Sequence, residues 1–304
     1  MADMEKLEIA SNLLNSSPPG QFGHVLADVK QLLPTGLIDD DWVCSVARSY
    51  NALGWRSIDV DDHRFVPAAE AQVGPAHCID TKAAGCLVAV DHITAATLPD
   101  SQAPLPPPLP PADDATVNAA LEPLRAAAEA AVDAYRKTQF RPGRSASSVF
   151  ASGGRLVIYV NSEHLNLRNW WGGAWASRYE LAPAANGGTW NGGSGGGGAW
   201  VLQGKMRVHL HYFEDGNMQL QSTKALPPTD ITAEDDEGVA MAMAAAIKAA
   251  EDALHAALEE MYTTVEESTL RSLRRPKTIV ATKFGWNIHE VRMRARLGQA
   301  NKGN

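Results

Sequence analysis

The chain has 304 residues, of which 45% are hydrophobic and 20% are charged, and its formal net charge is −8 at pH 7. This composition is ordinary for a soluble globular protein with one large domain or two small ones. No window approaches eighteen uninterrupted apolar residues and the first ten residues include acids, so the sequence predicts neither a transmembrane span nor a secretory signal. Three cysteines, few and odd in number, argue against a disulfide framework and favour the cytoplasm.

Residues 1–56 are predicted to form an N-terminal helical stalk of three short antiparallel helices. Apolar side chains recur at helical spacing in each of the three segments. A Pro-Pro-Gly run at 18–20 breaks the first helix, Pro34 ends the second, and Asp39 or Asp40 can cap the third. The connections between the helices are short, which favours antiparallel packing.

Residues 57–112 are expected to form an irregular globule that leads into a proline-rich linker. The longest strand pattern in this region is short, at 86–90, and seven prolines fall between 99 and 111. Such a run favours the extended polyproline conformation, which serves as a surface linker or as a ligand of an SH3-like module. An alanine-rich helix is predicted to follow at 113–140, with an aspartate as its cap.

From about residue 145 the hydrophobic period changes to two, which predicts an antiparallel sheet of five strands over 145–225. A Ser-Gly-Gly run at 152–154 is typical of a tight hairpin between its first two strands. In the fourth strand the polar side chains alternate with apolar ones, which predicts one solvated face and one face covered by a helix. The outer edge of such a meander is unpaired and available to another chain.

The segment 234–275 is predicted to be one long helix that covers the sheet. Its apolar residues form a single continuous stripe: Val239, Met243, Ile247, Ala250, Leu254, Leu258, Met261 and Val265. A stripe of this length is too long for one short neighbour to cover. The first turn is acidic and the last is basic, as the helix dipole favours, and Pro276 ends the helix.

Residues 276–304 form a basic tail that is predicted to contain a short amphipathic helix. From 271 to 304 there are nine Lys or Arg and one acid, a net charge of +8, so residues 1–270 carry −16. An acidic body with a basic end favours an acidic partner for the tail. Because the short helix has apolar residues on both faces, it either docks on its own domain or contacts a partner.

No pattern in the sequence points clearly to catalysis, a metal or a cofactor. His209 and His211, with His164 as a third candidate, have a spacing that can hold a metal, but the pattern is more typical of a solvated strand face. The glycine run at 192–198 formally satisfies GxGxxG, yet no helix follows to present its N-terminus to a phosphate. The basic tail can neutralise nucleic-acid phosphates, but the acidic body would repel them.

Two long motifs resemble one known family. The runs NWWGGAWASRY at 169–179 and VHLHYFEDGNMQL at 208–220 are similar to the two most specific motifs of the F-actin capping protein α-subunit family. Shorter matches at 18–22, 273–275 and 282–287 follow in the family's order. Together the matches span nearly the whole chain.

The resemblance implies an α+β fold in which the five strands are half of a ten-stranded antiparallel sheet shared with a homologous β subunit. Helices of both chains would build the stalk, long helices would lie across the sheet, and each chain would end in an amphipathic tentacle helix, here 276–304. The implied function is Ca²⁺-independent binding of the barbed end of the actin filament, which blocks subunit addition and loss. The resemblance implies no catalysis and no cofactor, and it places the protein at the actin cytoskeleton.

Carried onto this chain, the actin contact of the family is expected at the following residues: Arg271, Arg274, Arg275, Lys277, Lys283, Trp286, Ile288 and Val291. The arginines would pair with acidic groups of actin, and the apolar side chains of the tentacle would fill a groove. Another basic position of the family, two residues before Lys283, is Ala281 here. Trp286 packs either against actin or against the chain's own globule.

Other functions stay open at this point. A capping-like subunit of another assembly, such as the actin-related filament of dynactin, would suit the weaker actin binding that Ala281 implies. Anionic phosphoinositides are expected partners of the basic tail, and regulators of capping protein are further expected partners. An enzyme that uses a metal or a nucleotide is the alternative from a different class.

Overall fold

The protein is described by a computed structural model that covers these residues: 3–54, 56–60, 63–74, 76–82, 86–98, 103–104, 118–184, 199–213 and 218–264. The chain divides into two compact units, Met1–Asp252 and Ala253–Asn304. In the second unit the described residues, 253–264, are helical. None of the described helices combines the length and apolar character that crossing a membrane requires.

Three helices open the first unit: α1 (Asp3–Asn15), α2 (Phe22–Leu32) and α3 (Asp40–Gly54). Their apolar faces meet in one cluster: Ala10, Leu14, Phe22, Leu26, Val29, Val43, Val46, Ala47 and Tyr50. Asp39 caps α3 as the sequence predicts, because its Oδ1 accepts a hydrogen bond from the N–H of Trp42 at 2.8 Å. These three helices are called the stalk below.

Residues 58–104 contain a sheet of short strands where the sequence predicted a mostly irregular globule. The strands are β1 (Ile58–Val60), β2 (His63–Phe65), β3 (Gln72–Val73), β4 (His77–Asp80), β5 (Cys86–Asp91), β6 (Ala96–Thr97) and β7 (Ala103–Pro104). Their order is β2-β1-β6-β5-β4-β3, and β7 pairs with β5. The predicted strand pattern at 86–90 corresponds to β5, but the other strands have only two to four residues and carry too little alternation to be seen as a period.

The helix α4 (Glu122–Gln139) links this small sheet to a large one. It buries Leu124, Ala128, Val132 and Tyr135 along one side and contacts the first strand of the large sheet. Arg136 and Lys137 lie in its last turn, where the helix dipole favours cations.

The large sheet consists of β8 (Ser145–Ser152), β9 (Arg155–Asn166), β10 (Trp171–Pro183), β11 (Ala199–Tyr212) and β12 (Met218–Thr232). All neighbours are antiparallel and follow chain order, as predicted. The hairpin predicted at 152–154 joins β8 to β9 through a two-residue turn, in which Gly153 and Gly154 both have the positive φ that such a turn requires, 59° and 73°. The last strand runs to Thr232, past its predicted end at 225.

The long helix α5 (Asp236–Thr264) follows, and its part within the first unit lies against one face of the large sheet, where Ser177 and Tyr179 contact Glu251. The predicted stripe is buried at Val239, Met243, Ile247, Leu254 and Leu258. The helix was predicted to extend to 275, and residues 265–275 lie outside the described part of the chain.

The small sheet and the stalk cover part of the opposite face of the large sheet, so the prediction of a solvated face is wrong at His211, whereas Lys205 on the same face is exposed. Ala176 of β10 shares an apolar cluster with Ile58 and Phe65 of the small sheet. His211 is only 6% exposed, and its Nδ1 lies 2.6 Å from Nε2 of Gln21. Alternation of polar and apolar residues within a strand shows which side chains share a face. It does not show whether residues distant in the sequence will cover the polar face, so the partial burial of this face could not be predicted.

Candidate subunit interface

The residues predicted to contact actin lie outside the described residues: Arg271, Arg274, Arg275, Lys277, Lys283, Trp286, Ile288 and Val291. Within the described part of the chain, the most distinctive functional surface is the outer edge of β12. An edge strand presents unpaired N–H and C=O groups, and these bind a strand of another chain readily.

The two edge strands of the large sheet, β8 and β12, differ in how far other parts of the chain bury them. At the β8 edge every residue from Ser145 to Phe150 is buried, and α4 and β2 contact that strand. At the other edge no residue from Met218 to Leu226 is buried by the described part of the chain. Since an open edge of this length promotes association, the β12 edge is the candidate interface.

Two hydrogen bonds fix which residues of β12 point their backbone groups outward. The N–H of Phe213 donates to the carbonyl of Trp170, and the N–H of Ala184 donates to the carbonyl of Ala199, each at 2.9 Å. Because hydrogen-bonded pairs alternate along an antiparallel ladder, the odd-numbered residues of β11 pair with β10 and the even-numbered ones pair with β12. The backbone groups that face outward from β12 therefore belong to these residues: Gln219, Gln221, Thr223 and Ala225.

A proline pair limits the usable edge. The register of β11 against β12 shifts between Leu202 and Gly204, opposite Pro227 and Pro228, which is the mark of a β-bulge. Beyond the bulge the same alternation turns Pro228 outward, where it has no N–H to offer. Within the described part of the chain, the edge is thus open to strand addition over the nine residues Met218–Leu226 and blocked after them.

An aromatic group lies at the end of the sheet beside the start of this edge. Trp170 is 47% exposed and adopts a left-handed conformation, with φ 61°, that is rare for a bulky residue. Its ring meets Phe213 edge-on at 5.5 Å, and Met218, the first residue of β12, is 67% exposed. Sequence analysis singled out the tryptophan-rich run without predicting that Trp170 is its exposed member.

A buried carboxylate holds α5 on the sheet. The side chain of Glu251 is fully buried and accepts hydrogen bonds from Tyr135 Oη at 2.6 Å, Ser177 Oγ at 2.6 Å and Tyr179 Oη at 2.8 Å. Ser177 in turn accepts from the indole N–H of Trp175. Burial, with the carboxylate beside them, raises the pKa of both tyrosines well above the ordinary value, so both remain O–H donors.

A second buried cluster joins the stalk to the other face of the sheet. Arg56 Nε lies 2.6 Å from Glu163 Oε1 on β9, and an Nη donates a hydrogen bond to Oε2 at 3.0 Å, so the two side chains form a buried ion pair. Burial would lower the pKa of Arg56, but the carboxylate outweighs it and holds the pKa above its ordinary value. Arg56 also donates to Tyr50 Oη, which donates to the carbonyl of Pro18.

Comparison with known proteins decides the family. A family model described as F-actin capping protein alpha subunit matches residues 10–296. The chain belongs to that family.

Relatives of this capping protein α-subunit chain match along almost their whole length. The F-actin-capping protein subunit alpha of Dictyostelium discoideum is 26% identical over 287 residues, 94% of each chain. That of Caenorhabditis elegans is 26% identical over 306 residues, 99% of each chain. The solved homodimeric actin capping protein alpha subunit from Plasmodium berghei superposes with a TM-score of 0.70 at 19% identity, covering 92% of this chain and 99% of that one.

The comparisons confirm the resemblance drawn from the two motifs and the α+β fold class. The capping protein α-subunit fold also accounts for the histidine pair that spacing alone left open. His211 is within hydrogen-bond distance of Gln21, next to the stalk. His209 Nε2 lies 3.4 Å from the side-chain oxygen of Gln219 and 3.3 Å from the side-chain nitrogen of Gln221, both on the neighbouring strand β12. The two histidines therefore contact the stalk region and the sheet. Among the described residues no group of three or more His, Cys, Asp or Glu is placed to hold a metal ion.

Proposed function

We propose that this chain is the α subunit of a heterodimeric F-actin capping protein that binds filament barbed ends independently of Ca²⁺ and blocks subunit addition and loss. The open β12 edge carries the proposal, because a family member with an uncovered edge of nine residues needs a second chain to complete its sheet. The function requires no catalysis, cofactor or nucleotide. Its site of action is the actin cytoskeleton in the cytoplasm.

The second chain is proposed to be a capping protein β subunit, which would continue the sheet from five strands to ten. Three of the residues whose backbone groups face outward have uncharged side chains: Gln219, Gln221 and Thr223. A partner strand that pairs with them therefore meets no repelling charge at these positions. A second copy of this chain is the alternative occupant, and the homodimeric relative from Plasmodium berghei favours it. Light scattering of the purified chain, alone and co-expressed with a β subunit, separates the two assemblies.

The actin contact is proposed to lie at the end of the long helix and in the tentacle, at 271–291. This segment is basic, whereas the rest of the chain is acidic, and its positive charges belong to Arg271, Arg274, Arg275, Lys277 and Lys283. Such a cluster accelerates encounter with acidic actin surfaces, and arginine forms bidentate pairs with carboxylates. Anionic phosphoinositides would compete for the same charges, and vesicles that carry them are expected to relieve capping.

The apolar side chains Trp286, Ile288 and Val291 are proposed to anchor the tentacle once the basic residues have made contact. An amphipathic helix that lays apolar residues into a groove is a common mode of peptide recognition. Trp is the residue type most enriched among energetic hot spots, so Trp286 is the expected anchor.

The test is elongation of actin from filament seeds with the co-expressed heterodimer, in Ca²⁺ and in a chelator. The wild type is expected to stop growth at substoichiometric concentration in both. The double variant Arg271→Ala, Arg275→Ala is expected to cap several hundredfold more weakly, since two lost charged contacts of about 2 kcal/mol each amount to about 4 kcal/mol. Arg155→Ala is the matched control, because it removes a cation exposed on the sheet.

The assembly of each variant is checked by size-exclusion chromatography. If the double variant no longer assembles, the two arginines are structural. If a well-assembled wild-type heterodimer leaves elongation unchanged, the chain does not cap actin, and another filament, such as the actin-related filament of dynactin, becomes its target.

A further inference from the structure

The end of α4 and the loop that joins it to β8 carry a cluster of positive charges on an otherwise acidic body. The nine residues from Arg136 to Arg144 include four Lys or Arg and no acid, whereas residues 1–270 carry a net charge of −16. Lys137, Arg141 and Arg144 are exposed, and they are called the α4 patch below. A local excess of positive charge on an acidic body marks a candidate contact with an acidic partner.

The one carboxylate beside the patch is already paired with several cations. Oδ1 of Asp133 accepts hydrogen bonds from Lys82 Nζ at 3.0 Å and from an Nη of Arg136 at 2.6 Å. Its Oδ2 lies 2.7 Å from Lys137 Nζ. Burial alone would raise the pKa of Asp133, but these bonds outweigh it and hold the pKa well below its ordinary value. Three cations around one carboxylate leave an excess of positive charge at this site.

A short turn holds the two arginines of the patch in place. The N–H of Arg144 donates to the carbonyl of Arg141 at 3.3 Å, and between them Pro142 is followed by Gly143 with a positive φ of 70°. This arrangement is typical of a type II turn. The N–H of Glu163 on β9 donates to the carbonyl of Arg144 at 2.8 Å, which fixes the turn to the sheet. A turn that is already formed loses little conformational entropy when a partner binds.

The charges of Arg141 and Arg144 are not neutralised within the described part of the chain. No carboxylate of a described residue forms an ion pair with either side chain. Their positive charge extends to His164 on β9: burial lowers the pKa of His164, and Arg144 and Arg141 lower it further because they disfavour another positive charge nearby. Both arginines therefore keep their charge available to a partner.

The α4 patch adjoins the face of the large sheet that carries α5. Near the end of α4, Tyr135 Oη donates to the carboxylate of Glu251. One turn further on, Gln139 Nε2 donates to Asp252 Oδ1 at 3.2 Å, so the two helices are in direct contact beside the patch. In the sequence α5 leads into the segment 271–291, where the actin contact is proposed. A partner on the helix-covered face can therefore reach the patch.

A cleft of about 530 Å³ beside the patch indicates the kind of partner. Lys137 and Gly143 line it together with the ion pair of Arg64 and Asp59, and the side chain of Asp59 is 74% exposed. An exposed carboxylate would be repelled by an anionic membrane surface. A folded protein can place acids against the patch and a cation against Asp59, so the mixed lining favours a protein partner.

We propose that the α4 patch binds an acidic surface at the end of the actin filament and forms a second contact besides the basic segment 271–283. This inference rests on the proposed capping function and adds to it a contact made by the body of the chain. Arginine suits the contact because its planar group forms bidentate pairs with carboxylates. Exposed charges of this kind act mainly on the association rate, so the patch is expected to speed capping.

The proposal is tested by seeded actin elongation with the co-expressed heterodimer at low salt. The double variant Arg141→Ala, Arg144→Ala is expected to cap about tenfold more weakly than the wild type, mainly through slower association, because two exposed charge contacts are lost. Arg141→Lys with Arg144→Lys keeps both charges and is expected to stay within about threefold of the wild type.

The matched control is the double variant Lys30→Ala, Arg155→Ala. It removes two exposed cations from the stalk and from the start of β9, so it changes the net charge by the same amount and is expected to cap like the wild type. Size-exclusion chromatography checks that each variant assembles. If the double alanine variant of the patch does not assemble, the single variant Arg141→Gln takes its place, with an expected loss of about threefold.

Combination with Arg271→Ala, Arg275→Ala distinguishes a second actin contact from an effect on the tail. Two independent contacts weaken capping by factors that multiply. A combined variant that caps no more weakly than the tail variant alone would show that the patch acts only through the tail, which would overturn the proposal.

Three further results would also overturn it. The first is capping by the Arg141→Ala, Arg144→Ala protein at the rate of the matched control. The second is a loss confined to binding of vesicles with phosphatidylinositol bisphosphate, which would make the patch a lipid site. The third is an assembled wild type that does not cap at all, because the capping function itself would then have failed.

Discussion

Glu251 shows how one charged residue determines the position of a long helix. It lies one turn after Ile247 on the predicted apolar stripe, and it is the one charged residue that α5 buries completely among the described residues. A buried carboxylate is costly unless donors surround it, and here Tyr135, Ser177 and Tyr179 all donate to it. A rotation or a slide of α5 would separate the carboxylate from these donors, so the cluster fixes the register of the helix on the sheet.

The isosteric change Glu251→Gln is therefore expected to be destabilising. The amide N–H₂ would face a hydroxyl that already donates, which leaves a buried donor unsatisfied and costs about 2 kcal/mol. In a thermal melt of the heterodimer, this corresponds to a fall of several degrees in Tm.

Glu260→Gln is the matched control on the same helix, because Glu260 is exposed and its replacement should stay within about 0.5 kcal/mol of the wild type. Tyr179→Phe removes one donor and is expected to show a smaller loss than Glu251→Gln. Equal melting of the Glu251→Gln and Glu260→Gln proteins would show that the cluster does not stabilise the helix.

At the scale of elements, β12 pairs with β11 on one side, and its other side is open to a strand of another chain only over Met218–Leu226. Thr223 has its backbone N–H on the outward side, away from β11. Thr223→Pro removes that N–H without removing a hydrogen bond of the chain's own sheet, so it is expected to prevent assembly with the second subunit.

Size-exclusion chromatography of the co-expressed chains measures this effect. Pro228→Thr is the companion variant, since it adds an N–H beyond the bulge, where the edge is already interrupted, and it is expected to assemble normally. Normal assembly of the Thr223→Pro protein would show that the partner binds elsewhere.

Sequence patterns predicted the elements whose signals are local. Gly153 and Gly154 indicated the hairpin because both must adopt positive φ, and Asp39 indicated the start of α3 because a cap needs only its next turn. Most of the small sheet was missed because strands of two to four residues are too short to show an alternating pattern. The burial of His211 was missed for another reason, since its cover comes from Gln21, 190 residues away.

At the scale of the whole molecule, charge is distributed unevenly, with +8 in residues 271–304 and −16 in the rest. Electrostatic steering of this kind weakens as salt screens it. The rate at which the heterodimer caps filament ends is expected to fall about tenfold between roughly 50 and 300 mM salt, within the range for steered association.

Capping kinetics from seeded elongation at several salt concentrations measure this dependence. The double variant Arg271→Ala, Arg275→Ala is expected to show a shallower slope, since it has lost two of the steering charges. Equal slopes for the two proteins would indicate that the tail does not guide the encounter.

The candidate sites differ in how well they could be predicted from the sequence. The open edge followed from alternation and chain order, because a meander of five strands must have an outer strand. The proposed actin-contact residues, such as Arg271 and Trp286, followed from the resemblance alone, since a basic stretch by itself fits several acidic partners.

The limited length of the β12 edge also has a consequence for the protein in the cell. A newly made chain without its partner would expose Met218–Leu226, together with Trp170, to chaperones and proteases. Because Pro227 and Pro228 interrupt the ladder, such an orphan chain offers only a short template and resists growth into fibrils. We expect the orphan to be degraded, so that the abundance of this chain follows the rate at which its partner is synthesised.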